Sequence, residues 1–152
     1  MDMKGWKNFL IKKLNVPQHR IQCLLGSNSP ITDNHIPPSH ANIINVLYGL
    51  IYNSEIQQDD ILIIYYAEHG SLYKFPQRKC TATGSRCCMA CNCSLTTVEV
   101  LCPIDHDTMD DDGCWIPDIS DRELNALLRQ ISYAKGHKIT VIADCCYAGG
   151  MT

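Results

Sequence analysis

The chain has 152 residues, of which 45% are hydrophobic and 19% are charged, and this balance is typical of one folded domain. Its formal net charge of -3 argues against a strongly basic surface for nucleic acid. The apolar run at 61–67 is far too short to span a bilayer, and the first residues contain no apolar signal-peptide core. We therefore expect a cytoplasmic protein whose ten cysteines are thiols, metal ligands or nucleophiles before disulfides.

The first part of the chain is predicted to alternate between helix and strand. Residues 3–14 have the apolar spacing of a short amphipathic helix, and residues 20–26 are predicted to form a strand that ends in glycine. Prolines and asparagines mark 27–38 as a loop. Ser39 is a candidate N-cap for a helix that extends to about residue 52.

The middle of the chain contains one strong strand pattern. Residues 60–67 form a near-continuous apolar run, which is typical of a strand buried on both faces of a parallel sheet. Residues 71–97 show no periodicity and carry five cysteines, so we interpret them as an insertion. Residues 98–102 are a short strand candidate, and residues 105–113 are an acidic loop.

The last part of the chain contains a helix and a second buried strand. Ser120 and Glu123 fit a capping box, apolar residues follow at helical spacing, and Gly136 is placed to end the helix. Residues 138–143 are apolar and β-branched, as in a buried strand. Helices that alternate with strands in this way predict an α/β fold with a mostly parallel sheet.

Two chemically reactive residues follow the two buried strands. His69 comes directly after the first strand, and Cys146 comes directly after the second. Because the carboxyl ends of parallel strands meet at one edge of a sheet, we expect this pair to lie close together. A thiolate beside an imidazole is suited to acyl transfer, and flanking glycines such as Gly70 let backbone N–H groups reach a substrate carbonyl. The pair therefore predicts a nucleophilic site.

The segments around these two residues resemble a known family. Tyr66-Ala67-Glu68-His69-Gly70-Ser71 is similar to the Y-[SA]-G-H-G-[ST] box of metacaspases and related caspase-like peptidases. Asp144-Cys145-Cys146-Tyr147-Ala148-Gly149 is similar to their D-[SC]-C-H-S-G box. Residues 98–105 and 118–128 resemble the strand and the helix between the boxes. The resemblance implies a caspase-like sheet flanked by helices.

The resemblance also implies roles for individual residues. The chain would be a cysteine endopeptidase that cleaves after Arg or Lys, with Cys146 as the nucleophile and His69 as the general base. The N–H groups of Gly70 and Cys146 would form the oxyanion hole, and Asp144 would bind the basic side chain of the substrate. Cys145 would point away from the site. The resemblance further suggests a role in programmed cell death.

Some positions depart from the family pattern and keep an alternative open. Glu68 stands where the family has glycine, and Tyr147-Ala148 replaces His-Ser. The family's first strand and its small-subunit region have no counterpart, so residues 1–152 are predicted to be one partial catalytic domain with an insertion at about 71–97. Its partners would be protein substrates and a small-subunit-like segment outside this chain. The alternative is a catalytically inactive interaction module.

The cysteine-rich insertion raises a third possibility. Cys88 and Cys91 form a C-x-x-C pair, and a zinc site needs four ligands in a tetrahedral array. A second well-spaced pair is not clear, so these two cysteines are weak zinc candidates. The corresponding function would be a small zinc-binding module.

The acidic residues suggest calcium, which prefers oxygen ligands. The spacing in the loop excludes an EF-hand, but many metacaspases need calcium, so the resemblance keeps Asp118 and Asp121 as weak calcium candidates and calcium as a possible activator. The remaining histidines, His106 among them, show no ligand spacing, and we expect them at the surface.

Overall fold

The computed structural model describes residues 3–26, 36–76 and 95–149. The zinc candidates Cys88 and Cys91, and most of the predicted loop at 27–38, lie outside these described residues. In chain order the elements are α1 (Met3–Lys13), a 3₁₀ helix (Gln18–Arg20), α2 (His40–Tyr52), β1 (Leu62–Tyr66), β2 (Gly70–Pro76), β3 (Leu95–Leu101), β4 (Ile119–Ser120), α3 (Asp121–Lys135) and β5 (Ile139–Ala143).

Both longer helices begin at the predicted serine caps. The Ser39 hydroxyl accepts the N–H of Asn42 at 3.3 Å, and the Ser120 hydroxyl accepts the N–H of Glu123 at 3.1 Å. The predicted end of α3 is also confirmed, because Gly136 follows it with a φ of +95°. A side chain on Gly136 would collide with Asp59 in the loop before β1. Only glycine therefore lets the end of α3 pack against that loop.

The hydrophobic core lies between α2, α3 and the strands. Ile131 of α3 and Ile119 of β4 are fully buried, and Leu47 of α2 and Leu101 of β3 pack in the same cluster. Full burial of an aliphatic side chain of this kind contributes about 1.5–3 kcal/mol. The core therefore holds α3 against α2, β3 and β4.

The strands form two sheets. β1 pairs with β5 in parallel, in the register Leu62↔Ile139 to Tyr66↔Ala143. β2, β3 and β4 form an antiparallel sheet in that order. The predicted α/β class with helices flanking a parallel sheet is confirmed, and the described part of the parallel sheet has two strands.

Two predictions of strands need correction. Residues 20–26 do not form a strand, because within the described residues only Leu24 makes a β-bridge, to Ile36, and a strand needs a continuous partner. β1 is not buried on both faces. Leu62, Ile64 and Tyr66 pack against the core, whereas Ile63 on the other face is 45% exposed.

Part of the segment interpreted as an aperiodic insertion is ordered β-structure. Residues 71–76 of β2 and 95–97 of β3 fall within 71–97, and the two strands pair from Gly70↔Leu101 to Pro76↔Leu95. Residues 77–94 connect these two strands in the chain and lie outside the described residues. Among the helices that the structure describes, none has the length and apolar character to cross a membrane.

Candidate active site

The candidate site lies at the carboxyl edge of the parallel sheet. Tyr66 and Ala143, the last residues of β1 and β5, are in register, so the segments that follow them leave the same edge. The N–H of Asp144 donates to the carbonyl of Tyr66 at 2.8 Å, which extends the pairing one residue further. His69 and Cys146 lie three residues beyond each strand, and both are exposed. The strand pairing therefore brings the two candidate segments together at one accessible edge.

The two segments touch at Gly70. A Cβ atom built on Gly70 would collide with the carbonyl oxygen of Cys146, and it would lie 3.2 Å from the Sγ atom of Cys145. The obstacle is backbone, which cannot rotate aside as a side chain can. The absence of a side chain at Gly70 is thus what allows the segment after β1 to approach the segment after β5.

The backbone of His69 is fixed by two neighbours. Its carbonyl accepts the N–H of Cys102 at 2.9 Å and lies 3.1 Å from the hydroxyl of Tyr66. The same hydroxyl lies 2.8 Å from the carbonyl of Cys102. A tyrosine hydroxyl is protonated at neutral pH and can donate, and burial raises the pKa of Tyr66 further. These contacts hold the His69 backbone while its imidazole faces solvent.

The adjacent cysteines differ in environment. Cys145 is half-buried and packs against the hydrophobic core, whereas Cys146 is exposed. Burial raises the pKa of the Cys145 thiol, and the neighbouring Cys146 and Asp144 raise it further. A thiolate is therefore disfavoured at Cys145. Tyr147 follows with a φ of +56°, an uncommon conformation for a residue with a side chain, and it makes a sharp turn directly after Cys146.

Asp144 begins the segment that carries the two cysteines. Its carboxylate is exposed, and its Oδ2 atom accepts the hydroxyl of Tyr65 at 3.0 Å. The Tyr65 ring in turn stacks on Trp6 of α1, with a centroid separation of 5.0 Å. Helix α1 thereby supports an acidic group at the same edge as His69 and Cys146.

Comparison with known families decides the class of the protein. The family model described as the metacaspase, peptidase C14 domain matches residues 1–152, which is the whole chain. The chain belongs to this family. The resemblance inferred from the two boxes is confirmed, and membership of the family makes the chain a caspase-like cysteine peptidase by resemblance. No individual curated protein matches the chain.

This metacaspase chain carries a second group of reactive side chains that the sequence did not predict. Within the described ranges, Cys102, His106 and Asp118 form the one group of three Cys, His, Asp or Glu side chains whose ligand atoms all lie within 4.8 Å of one another. His106 is partly exposed, as expected for a surface residue, but its Nδ1 atom also lies 3.4 Å from the Oδ1 atom of Asp118, so the expectation that it takes no part in a group of ligand-type side chains needs correction. The overlooked signal is the C-x-x-x-H spacing at the end of β3.

Cys102 and His106 are also a cysteine–histidine pair, but the site does not suit a nucleophile. Cys102 is buried, and burial together with the carboxylate of Asp118 raises the pKa of its thiol to about 11. Its thiolate is therefore scarce at neutral pH, and a peptide has little access to it. The exposed Cys146 is the better candidate for attack on a substrate.

The surroundings of the two calcium candidates differ from an oxygen cage. Asp118 contacts the thiol of Cys102 and the imidazole of His106, and neither is a ligand that calcium prefers. Asp121 lies in the first turn of α3, where its Oδ1 atom accepts the N–H of Arg122 at 2.7 Å. The residues around Asp118 therefore do not fit a calcium site.

Proposed function

We propose that this metacaspase chain is a cysteine endopeptidase that cleaves protein substrates after Arg or Lys, with Cys146 as the nucleophile and His69 as the general base. The observation that carries the proposal is the parallel pairing of β1 with β5, together with the close approach of Gly70 to the backbone of Cys146. This arrangement supplies a thiol and an imidazole at one solvent-exposed edge.

The proposed reaction has two stages. The imidazole of His69 takes the proton of the Cys146 thiol, and the sulfur attacks the carbonyl carbon of the scissile bond. His69 then returns the proton to the departing amine as the carbon–nitrogen bond breaks, which leaves a thioester. In the second stage His69 takes a proton from water, the hydroxide oxygen attacks the thioester, and the Cys146 sulfur leaves with that proton.

Backbone geometry supports Gly70 as an oxyanion-hole donor. The His69 carbonyl accepts the N–H of Cys102 at 2.9 Å, directly beyond the β2–β3 ladder, and so is directed toward β3. In a trans peptide the C=O of one residue and the N–H of the next point in opposite directions, so the N–H of Gly70 is directed away from β3. A donor of this kind, together with the N–H of Cys146, would contribute about a hundredfold or more to the rate.

Asp144 supports the preference for a basic residue at the cleavage position. Its exposed carboxylate lies at the same edge as Cys146 and is oriented by the hydroxyl of Tyr65. A guanidinium or ammonium group of the substrate would pair with this carboxylate in a charge-assisted hydrogen bond. A peptide with Asp at that position would meet repulsion instead.

The test is hydrolysis of fluorogenic peptides that end in Arg, Lys or Asp. We expect cleavage of the Arg and Lys peptides, loss of that cleavage in Cys146→Ala and in His69→Ala, and retention of most of it in the matched control Cys145→Ala. No cleavage by a chain whose circular dichroism shows it to be folded would favour the alternative, an inactive interaction module. Activity that survives Cys146→Ala would contradict the mechanism.

Several further expectations stay predictions. Calcium as an activator is tested by the same assay with and without Ca²⁺, and Asp121→Asn should remove any activation if that residue is a ligand. A small-subunit-like partner segment and a role in programmed cell death are expected from the family alone, and a cytoplasmic location is expected from the sequence pattern of the first residues. The zinc-module function rests on Cys88 and Cys91 and needs direct zinc measurement on the purified chain.

A further inference from the structure

A pocket lies beside the antiparallel sheet. It has a volume of about 320 Å³, and Tyr73 of β2, Val100 of β3 and residues 106–107 and 115–118 contribute to its lining. Asp118 is the most deeply placed of its charged groups, because the side chain is only 3% exposed. The proposed peptidase mechanism makes no use of this pocket.

The carboxylate of Asp118 is incompletely satisfied. Its Oδ1 atom is buried and has no hydrogen-bond partner, although the Nδ1 atom of His106 lies 3.4 Å away. Its Oδ2 atom accepts the hydroxyl of Tyr73 and lies 3.8 Å from the Sγ atom of Cys102. A buried carboxylate oxygen without a partner lowers the stability of the fold unless a proton or a cation binds to it.

The separation between His106 and Asp118 matches that between two ligands of a tetrahedral metal. Ligand bonds of about 2.0–2.1 Å to nitrogen and oxygen place the two ligand atoms about 3.4 Å apart in a tetrahedron. The atoms Nδ1 of His106 and Oδ1 of Asp118 are 3.4 Å apart. One ligand atom from each of Cys102, His106 and Asp118 lies within 4.8 Å of the other two, and the sulfur of Cys102 is 3.8 Å from the Oδ2 atom of Asp118.

The neighbours of these three residues resemble the outer shell of a metal site. The Nε2 atom of His106 lies 3.0 Å from Oδ2 of Asp107, which leaves Nδ1 as the ligand atom. The hydroxyl of Tyr73 holds the second oxygen of Asp118. A ligating histidine commonly donates its other N–H to a carboxylate, and a ligating carboxylate is commonly hydrogen-bonded in turn.

We propose that Cys102, His106 and Asp118 bind a zinc ion, with the fourth position open to the pocket. Sulfur, nitrogen and oxygen donors together favour zinc over calcium or magnesium, which prefer oxygen ligands only. Binding replaces the thiol proton of Cys102 with the metal and releases that proton to solvent. The ion would link Cys102, at the end of β3, to Asp118, which precedes β4 and α3. It would thus hold together the two ends of the segment that contains the acidic loop.

The test uses the full chain in metal-free form, titrated with Co²⁺ as a spectroscopic substitute for Zn²⁺. We expect thiolate-to-cobalt charge-transfer absorption, which Zn²⁺ abolishes on displacement. His106→Asn should lose one equivalent of bound metal, and the exposed His137→Asn should lose none. Because His106 is 40% exposed, its substitution should leave the fold intact, and circular dichroism checks this.

The cysteines of the insertion could also bind cobalt, so the titration is repeated in a second background. There, five serines replace the cysteines of the insertion, namely Cys80, Cys87, Cys88, Cys91 and Cys93. We expect one equivalent to remain, and to be lost on addition of Cys102→Ser but not of the exposed control Cys114→Ser. Zn²⁺ should also raise the unfolding temperature of this background, and His106→Asn should remove that rise.

Two results would overturn the proposal. One is a folded five-serine background that binds no cobalt. The other is equal binding by the wild type and His106→Asn in both backgrounds, which would place the bound metal elsewhere. Neither readout depends on peptide hydrolysis, so failure of the proposed peptidase activity would leave this test unaffected.

Discussion

Gly70→Ala tests whether the close approach of the two loops builds the site. The new Cβ would collide with the Cys146 carbonyl and lie 3.2 Å from the Cys145 sulfur, so the backbone of Cys146 must retreat by on the order of 1 Å to restore ordinary contact. Overpacking of this kind costs about 1–3 kcal/mol, and the reduced entropy of the unfolded chain offsets about 0.4–1 kcal/mol of it.

The expected stability loss is small and the expected activity loss is large. A net cost of about 1–2 kcal/mol lowers the unfolding temperature by roughly 2–8 °C in a chain of this size. A displacement of about 1 Å at the nucleophile lowers kcat/KM by about a hundredfold. Calorimetry measures the first quantity, and hydrolysis of an Arg peptide measures the second.

Gly149→Ala is the matched control, because a Cβ atom built there meets no other atom within 4 Å. We expect it to leave both the unfolding temperature and kcat/KM nearly unchanged. The reasoning is refuted if Gly70→Ala keeps wild-type kcat/KM, or if the two variants lose activity to the same extent.

The remaining predictions concern single contacts. Tyr66→Phe removes a hydroxyl that lies 3.1 Å from the His69 carbonyl. We expect the free energy of unfolding, measured with denaturant, to fall by about 1–2 kcal/mol and kcat to fall as well. An unchanged kcat would show that this contact does not contribute to catalysis. Asp144→Asn should lower kcat/KM for Arg peptides by about 10- to 100-fold, because a hydrogen bond to a charged group contributes about 1.5–3 kcal/mol. If selectivity for Arg survives the change, another residue binds the basic side chain of the substrate. Ser120→Ala removes the N-cap of α3 and should cost about 1 kcal/mol in the same unfolding measurement, whereas no loss would show that the cap is dispensable. Iodoacetamide should alkylate Cys146 faster than Cys145 at neutral pH. The alkylation rate of Cys145 should continue to rise at higher pH, because burial raises the pKa of that thiol. Equal rates for the two cysteines would contradict the difference in their environments.

Local patterns in the sequence predicted the elements that position the site. The apolar runs that became β1 and β5 are bounded by charged or polar residues, and the caps at Ser39 and Ser120 have short-range chemical causes. The parallel pairing then followed from the alternation of helix and strand. The placement of His69 and Cys146 at one edge therefore required no knowledge of long-range contacts.

Long-range contacts explain what the sequence did not predict. β2 was missed because its residues gain a strand partner only from β3, across the cysteine-rich segment. The opposite error at 20–26 has the same cause. The composition of this segment suits a strand, but among the described residues its one bridging partner is Ile36. The group of Cys102, His106 and Asp118 was missed because its third member lies 16 residues away and joins the others only when β4 pairs with β3.

The most direct test of the account is to identify which cysteine an arginine chloromethyl ketone alkylates in the folded chain. The reagent presents a basic side chain and reacts with a thiolate, and peptide mass spectrometry locates the adduct. We predict one equivalent on Cys146, formed more slowly in His69→Ala and in Asp144→Asn. Modification of Cys145 or Cys102 instead, or a Cys146 rate equal to that of the denatured chain, would contradict the proposed catalytic pair.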